Sequence, residues 1–180
     1  MAQLPRLTGI RANAYGPAMG SPQLEELVAS FSAWLGLWEG EGRGLWAAEP
    51  PFRYRERLNL ELVPGRALLR WTQRTEVLES GELSHSEAAF LRLLPDRRVE
   101  LVLAAPAGYV EVHTGQLNNG LLALRPQTLG ATPTARPLRV VQRTLELRHD
   151  QLRSAVGIAV GAEATAPHVE AWLQRAPAGA

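Results

Sequence analysis

Apolar and polar side chains alternate with a period of two along most of the chain between residues 52 and 160. The clearest run, FRYRERLNLELV at residues 52–63, places aromatic and leucine side chains on one face and arginines on the other. Similar runs follow at LLRWTQRTEV, HSEAAFLRLL, RVELVLAA, YVEVHTG, LLALRP, LRVVQRTLELR and QLRSAVGIAV. Because successive side chains of a strand point to opposite faces, this pattern predicts a series of β-strands.

Short turn signals separate these runs, and no helical pattern lies between them. The signals are Pro64-Gly65, Ser80-Gly81, Pro95-Asp96, Pro106–Gly108, Asn118–Gly120 and His149-Asp150. Many strands joined by short turns indicate an antiparallel meander. A meander of this length is expected to close into a barrel, because closure removes the unpaired edges.

Helical patterns are confined to the two ends of the chain. In SPQLEELVASFSAWLG, Ser21 can cap a helix whose leucines recur on one face, and Gly36 can end it. The segment PHVEAWLQR at residues 167–175 predicts a second short helix, with His168 and Trp172 on one face. Residues 1–20, rich in Pro and Gly, predict a loose arm, so residues 21–176 form the single domain.

Composition excludes several functional classes. The chain has 19 Lys+Arg against 18 Asp+Glu, so no basic excess points to nucleic acid. It has no Cys, which excludes thiolate metal sites and thiol nucleophiles. No stretch reaches the length of a membrane span, and the first twenty residues lack a secretory pattern. We therefore expect a soluble cytoplasmic protein.

Polar residues interrupt the apolar faces of the predicted strands. The inferred inner faces carry Glu56, Gln73, Thr75, His85 and Glu87. They are open to three interpretations: an internal hydrogen-bonded network, strands whose faces are reversed, or a cavity with mixed walls that binds a small molecule. We predict that the four larger ones line or support a cavity.

The other three histidines lie in different predicted environments. His113 alternates with Val110 and Val112 in a way that predicts exposure, and His149 lies in a turn. His168 begins the predicted terminal helix and is either an ordinary surface residue or a ligand. The chain contains no Ser-His-Asp pattern, nucleotide loop or HExxH motif.

The segment LGLWEGEGRG at residues 35–44 resembles the GxWxGxG signature of the nitrobindins, with Gly36, Trp38, Gly40 and Gly42 in the motif positions. The likeness continues through FRYRERLNL, WTQRT, HSEAAFLR, VELVLAAPAGYVEVHTG and PHVEAWLQR, and covers about residues 22–175. It implies a ten-stranded antiparallel barrel similar to lipocalins and fatty-acid-binding proteins. Alternate glycines would let backbone or a flat ligand approach the first strand, with Trp38 filling the space they leave.

The resemblance also implies a haem b cofactor. His168 matches the family's axial iron ligand, which makes it the expected metal-binding and catalytic residue. Arg136 is the nearest match to a basic residue beside the haem, and Trp38 and His85 are further expected cofactor contacts. The chain departs from the family in three places. Trp46-Ala47-Ala48 stand where many members have Tyr-Pro-Thr, Ile158 stands in place of a late methionine, and Val169 follows His168 in place of Leu.

Two functions compete at this point. The resemblance implies an isomerase that converts peroxynitrite to nitrate and binds NO at ferric iron. A barrel alone is equally compatible with a non-catalytic carrier of a fatty acid or another small apolar ligand. The sequence leaves a homodimer open.

Overall fold

The computed structural model describes residues 20–45 and 50–177. The predicted arm at residues 1–20 lies outside that part except for Gly20, and so does the Trp46-Ala47-Ala48 departure. The chain begins with α1 (Pro22–Phe31) and a short 3-10 turn (Ser32–Trp34). Ten strands follow: β1 (Gly36–Gly44), β2 (Phe52–Leu62), β3 (Leu68–Val77), β4 (Leu83–Leu93), β5 (Arg98–Ala105), β6 (Tyr109–Asn118), β7 (Leu121–Ala131), β8 (Leu138–Arg148), β9 (Gln151–Val160) and β10 (Ala166–Arg175). A second 3-10 turn (Pro95–Arg97) precedes β5.

The strands form a closed antiparallel barrel in which each strand pairs with its neighbours in sequence and β10 pairs with β1. Gly42 lies opposite Tyr54 of β2 on one side and Ala171 of β10 on the other. All-β architecture, meander order and closure are therefore confirmed. Closure gives every strand two neighbours, which reduces the unpaired backbone groups that favour aggregation, although β7 and β8 pair only between Leu121–Leu124 and Arg143–Glu146.

Helix α1 covers the end of the barrel at which β1 begins. The Ser21 hydroxyl accepts a hydrogen bond from the Leu24 amide, as the capping pattern predicts. Leu24, Leu27 and Phe31 are buried in the same hydrophobic core as the inward leucines of the strands. Because the helix leads directly into β1, it closes one end of the barrel and leaves the other end for a site.

The predicted terminal helix is wrong, because PHVEAWLQR forms β10. Its backbone pairs with β1 and β9 on both sides, and Ala171 and Leu173 are buried while Trp172 lies outside. His168 lines the cavity whereas Trp172 is exposed, so the predicted common face is also wrong; the register shift between Pro167 and Val169 breaks the period-two relation between the two residues. Only an extended strand can pair with the two strands that would otherwise remain open.

The glycines of β1 permit close packing against both neighbouring strands. A Cβ on Gly42 would lie 2.6 Å from the Tyr54 hydroxyl and would overlap the tyrosine ring. A Cβ on Gly44 would overlap the Phe52 ring, and one on Gly40 would overlap the main-chain carbonyl of Trp172. The glycine row thus accommodates aromatic rings of β2 and backbone of β10 at the point of closure.

Candidate functional site

A cavity of about 550 Å³ lies inside the barrel at the end opposite α1. Its mouth is formed where β2, β4, β6 and β10 begin, and its walls carry both apolar and polar side chains. Glu56, Gln73, Thr75, His85 and Glu87 all line it, so the prediction that the polar residues of β2 to β4 face a cavity is confirmed. The size and mixed lining suit a small-molecule site.

His168 lies at the cavity wall near the start of β10, where the β9–β10 register shifts between Pro167 and Val169. The Nδ1 atom of His168 lies 2.6 Å from the main-chain oxygen of Leu45, and the Leu45 amide donates to the His168 oxygen at 2.7 Å. A carbonyl can only accept, so Nδ1 carries the proton and Nε2 carries the lone pair.

Burial lowers the pKa of His168, as do the nearby His85 and Arg136, although the bond to Leu45 acts in the opposite direction. The imidazole is therefore neutral at pH 7, because its ordinary pKa of about 6.5 is already below that value. A neutral imidazole with a fixed tautomer is the form that ligates a metal.

Two further predicted residues lie at the mouth of the cavity. His85 and Arg136 both line it, and the Arg136 main-chain oxygen accepts a hydrogen bond from Tyr109 at 2.7 Å. Ile158 and Val169 add apolar wall on the side of His168. The mouth therefore combines two imidazoles and a guanidinium with aliphatic surface.

Trp38 is placed differently. It is fully buried, its indole Nε1 donates to the Trp34 oxygen at 2.9 Å, and the Arg175 guanidinium lies 4.3 Å from its ring centroid. These contacts belong to the helix-covered end of the barrel, and Trp38 does not line the cavity. Its expected contact with a cofactor stays an untested prediction.

A buried arginine organises the middle of the cavity. Arg143 of β8 binds Glu111 through Nε at 2.8 Å and Nη2 at 2.9 Å, and binds Glu87 through Nη1 at 2.9 Å. Glu87 also accepts from the Trp71 indole at 3.2 Å and lies 3.1 Å from His85 Nε2. The two carboxylates thus occupy all three guanidinium nitrogens, which is the arrangement in which a buried charge is tolerated.

The charges of this network determine one another's ionisation. Burial alone would raise the pKa of Glu111, but hydrogen bonds from His113 and Arg143 outweigh it and lower the pKa to about 2. Burial likewise opposes ionisation of Glu87, yet Arg143 and His85 hold the pKa of Glu87 below its ordinary value. Both groups are therefore carboxylates at neutral pH.

Glu56 behaves in the opposite way. It is 1% exposed, and its carboxyl accepts a hydrogen bond from Gln73 Nε2 at 2.8 Å. Burial raises the pKa of Glu56 to about 7, Ser154 opposes that shift, and Glu87 adds to it. Glu56 forms no ion pair within the described part of the chain and exchanges its proton near neutral pH.

The prediction that His113 is exposed is wrong. The ring is fully buried, and its Nε2 lies 2.8 Å from Glu111, whereas Val110 and Val112 are exposed. Strand β6 therefore turns Glu111 and His113 inward and Val110 and Val112 outward. Glu111 and Arg143 were also missed from sequence. The available signal was that Glu111 and His113 share a period-two face with Tyr109, and that Arg143 shares one with Val141 and Leu145.

Among the described residues, no group of three or more His, Cys, Asp or Glu side chains could hold a bare metal ion. No helix within residues 20–45 and 50–177 is long and apolar enough to cross a membrane.

Comparison with known proteins gives matches along most of the chain. Residues 28–175 match the family model described as the THAP4-like, heme-binding beta-barrel domain. Peroxynitrite isomerase 1 of Rhodococcus jostii (strain RHA1) is 32% identical over 163 residues, covering 90% of this chain and 92% of the relative. Peroxynitrite isomerase 2 of Mycobacterium avium (strain 104) is 32% identical over 152 residues, covering 82% of this chain and 94% of the relative.

A solved structure agrees with these matches. The crystal structure of Rv2717c from M. tuberculosis superposes with a TM-score of 0.77 at 28% identity and covers 87% of this chain and 99% of that chain. Fold, motifs and relatives together confirm the resemblance to the nitrobindins. The chain therefore belongs to the family of THAP4-like, heme-binding beta-barrel domains.

Proposed function

We propose that this protein binds haem b in the cavity, isomerises peroxynitrite to nitrate and binds NO at ferric iron. The observation that carries the proposal is the neutral imidazole of His168 at the cavity wall, with Nδ1 bonded to Leu45. The family match and the names of the relatives support the cofactor and the reaction.

The residues present fit a haem. The cavity of about 550 Å³ lies within the range of roughly 300–1,000 Å³ usual for small-molecule sites. The donor set suits an iron that already has four nitrogen ligands, because His168 offers a neutral imidazole at the wall and the described residues contain no cluster of three or more carboxylates and histidines that could hold a bare metal ion. His168 would hold the iron through Nε2. Arg136, exposed at the mouth, would pair with the propionates.

When bound, haem would supply an electrophilic iron at which peroxynitrite rearranges to nitrate. The chain itself contributes three effects. Leu45 holds the His168 ring in one tautomer and orientation, which keeps Nε2 basic. Apolar wall such as Ile158 and Val169 excludes water from the site. The positive charge of Arg136 attracts an anionic substrate to the mouth.

The alternative of a fatty-acid carrier meets an obstacle in the same cavity. A fatty acid that enters with its carboxylate first needs a cation inside the barrel to pair with that carboxylate. Arg143 is the buried cation of this network, and Glu87 and Glu111 already occupy its nitrogens. Admission of a fatty acid to this position would break an existing pair, so the geometry favours the haem protein.

Haem titration tests the proposal directly. We expect purified protein to bind one equivalent of ferric haem with a Soret band of histidine coordination, and the loaded protein to convert peroxynitrite to nitrate in stopped-flow mixing. Absence of stoichiometric haem binding would contradict it. We also propose a cytoplasmic location and a homodimer, which cell fractionation and sedimentation would test.

A further inference from the structure

The middle layer of the cavity, formed by Tyr54, Glu56, Gln73, Glu87, Glu111 and Arg143, carries more negative than positive charge. Glu87 and Glu111 are ionised, Glu56 lies beside them, and Arg143 is the cation that faces them across the cavity. Among the described groups around this layer, His85 lies on the mouth side and His113 on the closed side. The His113 Nδ1 atom is buried without a hydrogen-bond partner among the described residues. The carboxyl groups of Glu56, Glu87 and Glu111 and the guanidinium of Arg143 together carry a net charge of about −1 with Glu56 protonated and about −2 with Glu56 ionised.

The cation of this layer is not available to a ligand. Each guanidinium nitrogen of Arg143 lies within 2.9 Å of a carboxylate oxygen of Glu87 or Glu111, and the side chain is 7% exposed. An anion that entered would be repelled by Glu87 and Glu111 and could not pair with the guanidinium of Arg143, which these carboxylates already bind. In a buried setting such repulsion is only weakly screened by solvent or salt.

The polar atoms that a ligand could use here are uncharged. The Gln73 carbonyl oxygen is buried and, among the residues that the structure describes, has no hydrogen-bond partner, whereas the Tyr54 hydroxyl interacts with the Glu56 carboxyl. Both side chains line the cavity and are more than nine-tenths buried. An amide oxygen accepts a hydrogen bond, so Gln73 matches a neutral ligand that carries a hydroxyl or N–H donor.

We propose that this middle layer of the cavity binds uncharged hydrogen-bonding molecules and rejects anions. This selectivity is a property of the chain without haem and goes beyond the proposed function. In the haem-loaded protein it would confine anions such as peroxynitrite and nitrate to the mouth, beside His85 and Arg136.

The test uses haem-free protein and two fluorescent probes of the same shape. N-phenyl-1-naphthylamine is neutral and carries an N–H donor, whereas 1-anilinonaphthalene-8-sulfonate adds one negative charge. At pH 8.5 we expect the neutral probe to bind at least about tenfold more tightly than the sulfonate probe. Repulsion between the sulfonate and the carboxylates at contact range corresponds to about a tenfold or larger loss of affinity. Because the probes are measured without haem, failure of the haem titration would leave this result unaffected.

The variant Glu56→Gln removes one negative charge and keeps an oxygen that can accept from Gln73. We expect it to raise the affinity for the sulfonate probe about fivefold or more at pH 8.5 and to leave that affinity nearly unchanged at pH 5.5, where Glu56 is protonated. The matched control is Glu61→Gln, which removes the same charge from the outer face of the same strand. It should leave both affinities unchanged.

Three results would overturn the proposal. These are tighter or equal binding of the sulfonate probe to wild-type protein, no binding of the neutral probe, and identical effects of Glu56→Gln and Glu61→Gln. If Glu56→Gln does not fold, wild-type protein still decides. Its preference for the neutral probe should be larger at pH 8.5 than at pH 5.5, and a preference independent of pH would contradict the role of Glu56.

Discussion

His168 and Leu45 are joined by two hydrogen bonds, from the His168 ring to the Leu45 oxygen at 2.6 Å and from the Leu45 amide to the His168 oxygen at 2.7 Å. The contact spans 123 positions of sequence and links the residue after β1 to the start of β10. The proposed iron ligand is therefore fixed by backbone at the seam where the barrel closes. A ligand held in this way needs little reorganisation on binding.

The first prediction concerns that ligand. We expect His168→Ala to remove most of the haem affinity and the spectrum of histidine coordination, because the variant has no imidazole at this wall. The fold should persist, since strand pairing on both sides of His168 uses backbone atoms. Haem titration with a thermal melt of the haem-free protein measures both effects.

The control for this variant is His149→Ala, which removes a histidine from the exposed turn between β8 and β9. It should titrate with haem like the wild-type protein. An unchanged histidine spectrum in His168→Ala would show that another residue holds the iron.

The second prediction concerns stability against pH. In the folded protein burial raises the pKa of Glu56 to about 7, whereas in the unfolded chain it is about 4.5. The folded state then holds the extra proton between these values, so Glu56 contributes stability that is fully present below pH 4.5 and is lost as pH rises through 7. The loss is on the order of 3 kcal/mol. The check is urea unfolding from pH 4.5 to 8, where Glu56→Gln should flatten the slope and Glu61→Gln should not.

The third prediction concerns the buried charge network. Arg143→Met leaves Glu87 and Glu111 buried without their cation, and should lower the free energy of unfolding by about 3–5 kcal/mol. Adding Glu87→Gln and Glu111→Gln to this variant should recover most of the loss, because the neutral amides no longer need a counter-charge. Denaturant unfolding of the single and triple variants measures the difference. If the triple variant is as unstable as Arg143→Met, packing and not charge explains the loss.

The fourth prediction concerns the glycine row of β1. Gly42→Ala places a methyl group against the Tyr54 ring and should lower the free energy of unfolding by about 1–3 kcal/mol. In a Tyr54→Leu background the same substitution should cost less, because the overlapping ring atoms are gone. A double-mutant cycle by denaturant unfolding gives the coupling between the two positions. Additive effects would mean that the ring is not what the glycine accommodates.

The local pattern of the sequence was sufficient to predict strands β2 to β9 and the inward faces of β2, β3 and β4. In these last three strands an inward residue recurs at every second position, as Leu58, Trp71 and Leu91 illustrate, so burial of one face determines the position of every other side chain. Glu56, Gln73 and Glu87 were identified for the same reason, since each shares a face with those apolar residues. Short turns then fixed the neighbours of each strand.

The tertiary structure decided the closing strand and half of the site. The segment PHVEAWLQR is so short that its apolar residues fit both the helical period of 3.6 and the strand period of two. The strand is selected because the backbone of β1 and β9 would otherwise be unpaired. In β6 the pairing of Glu111 with Arg143, 32 positions apart, turns charge inward and valine outward. Arg143 meets Glu87 across 56 positions. The period-two face of each strand does not show which distant charge compensates which, because the energy of that pairing exists only when the barrel brings the partners together.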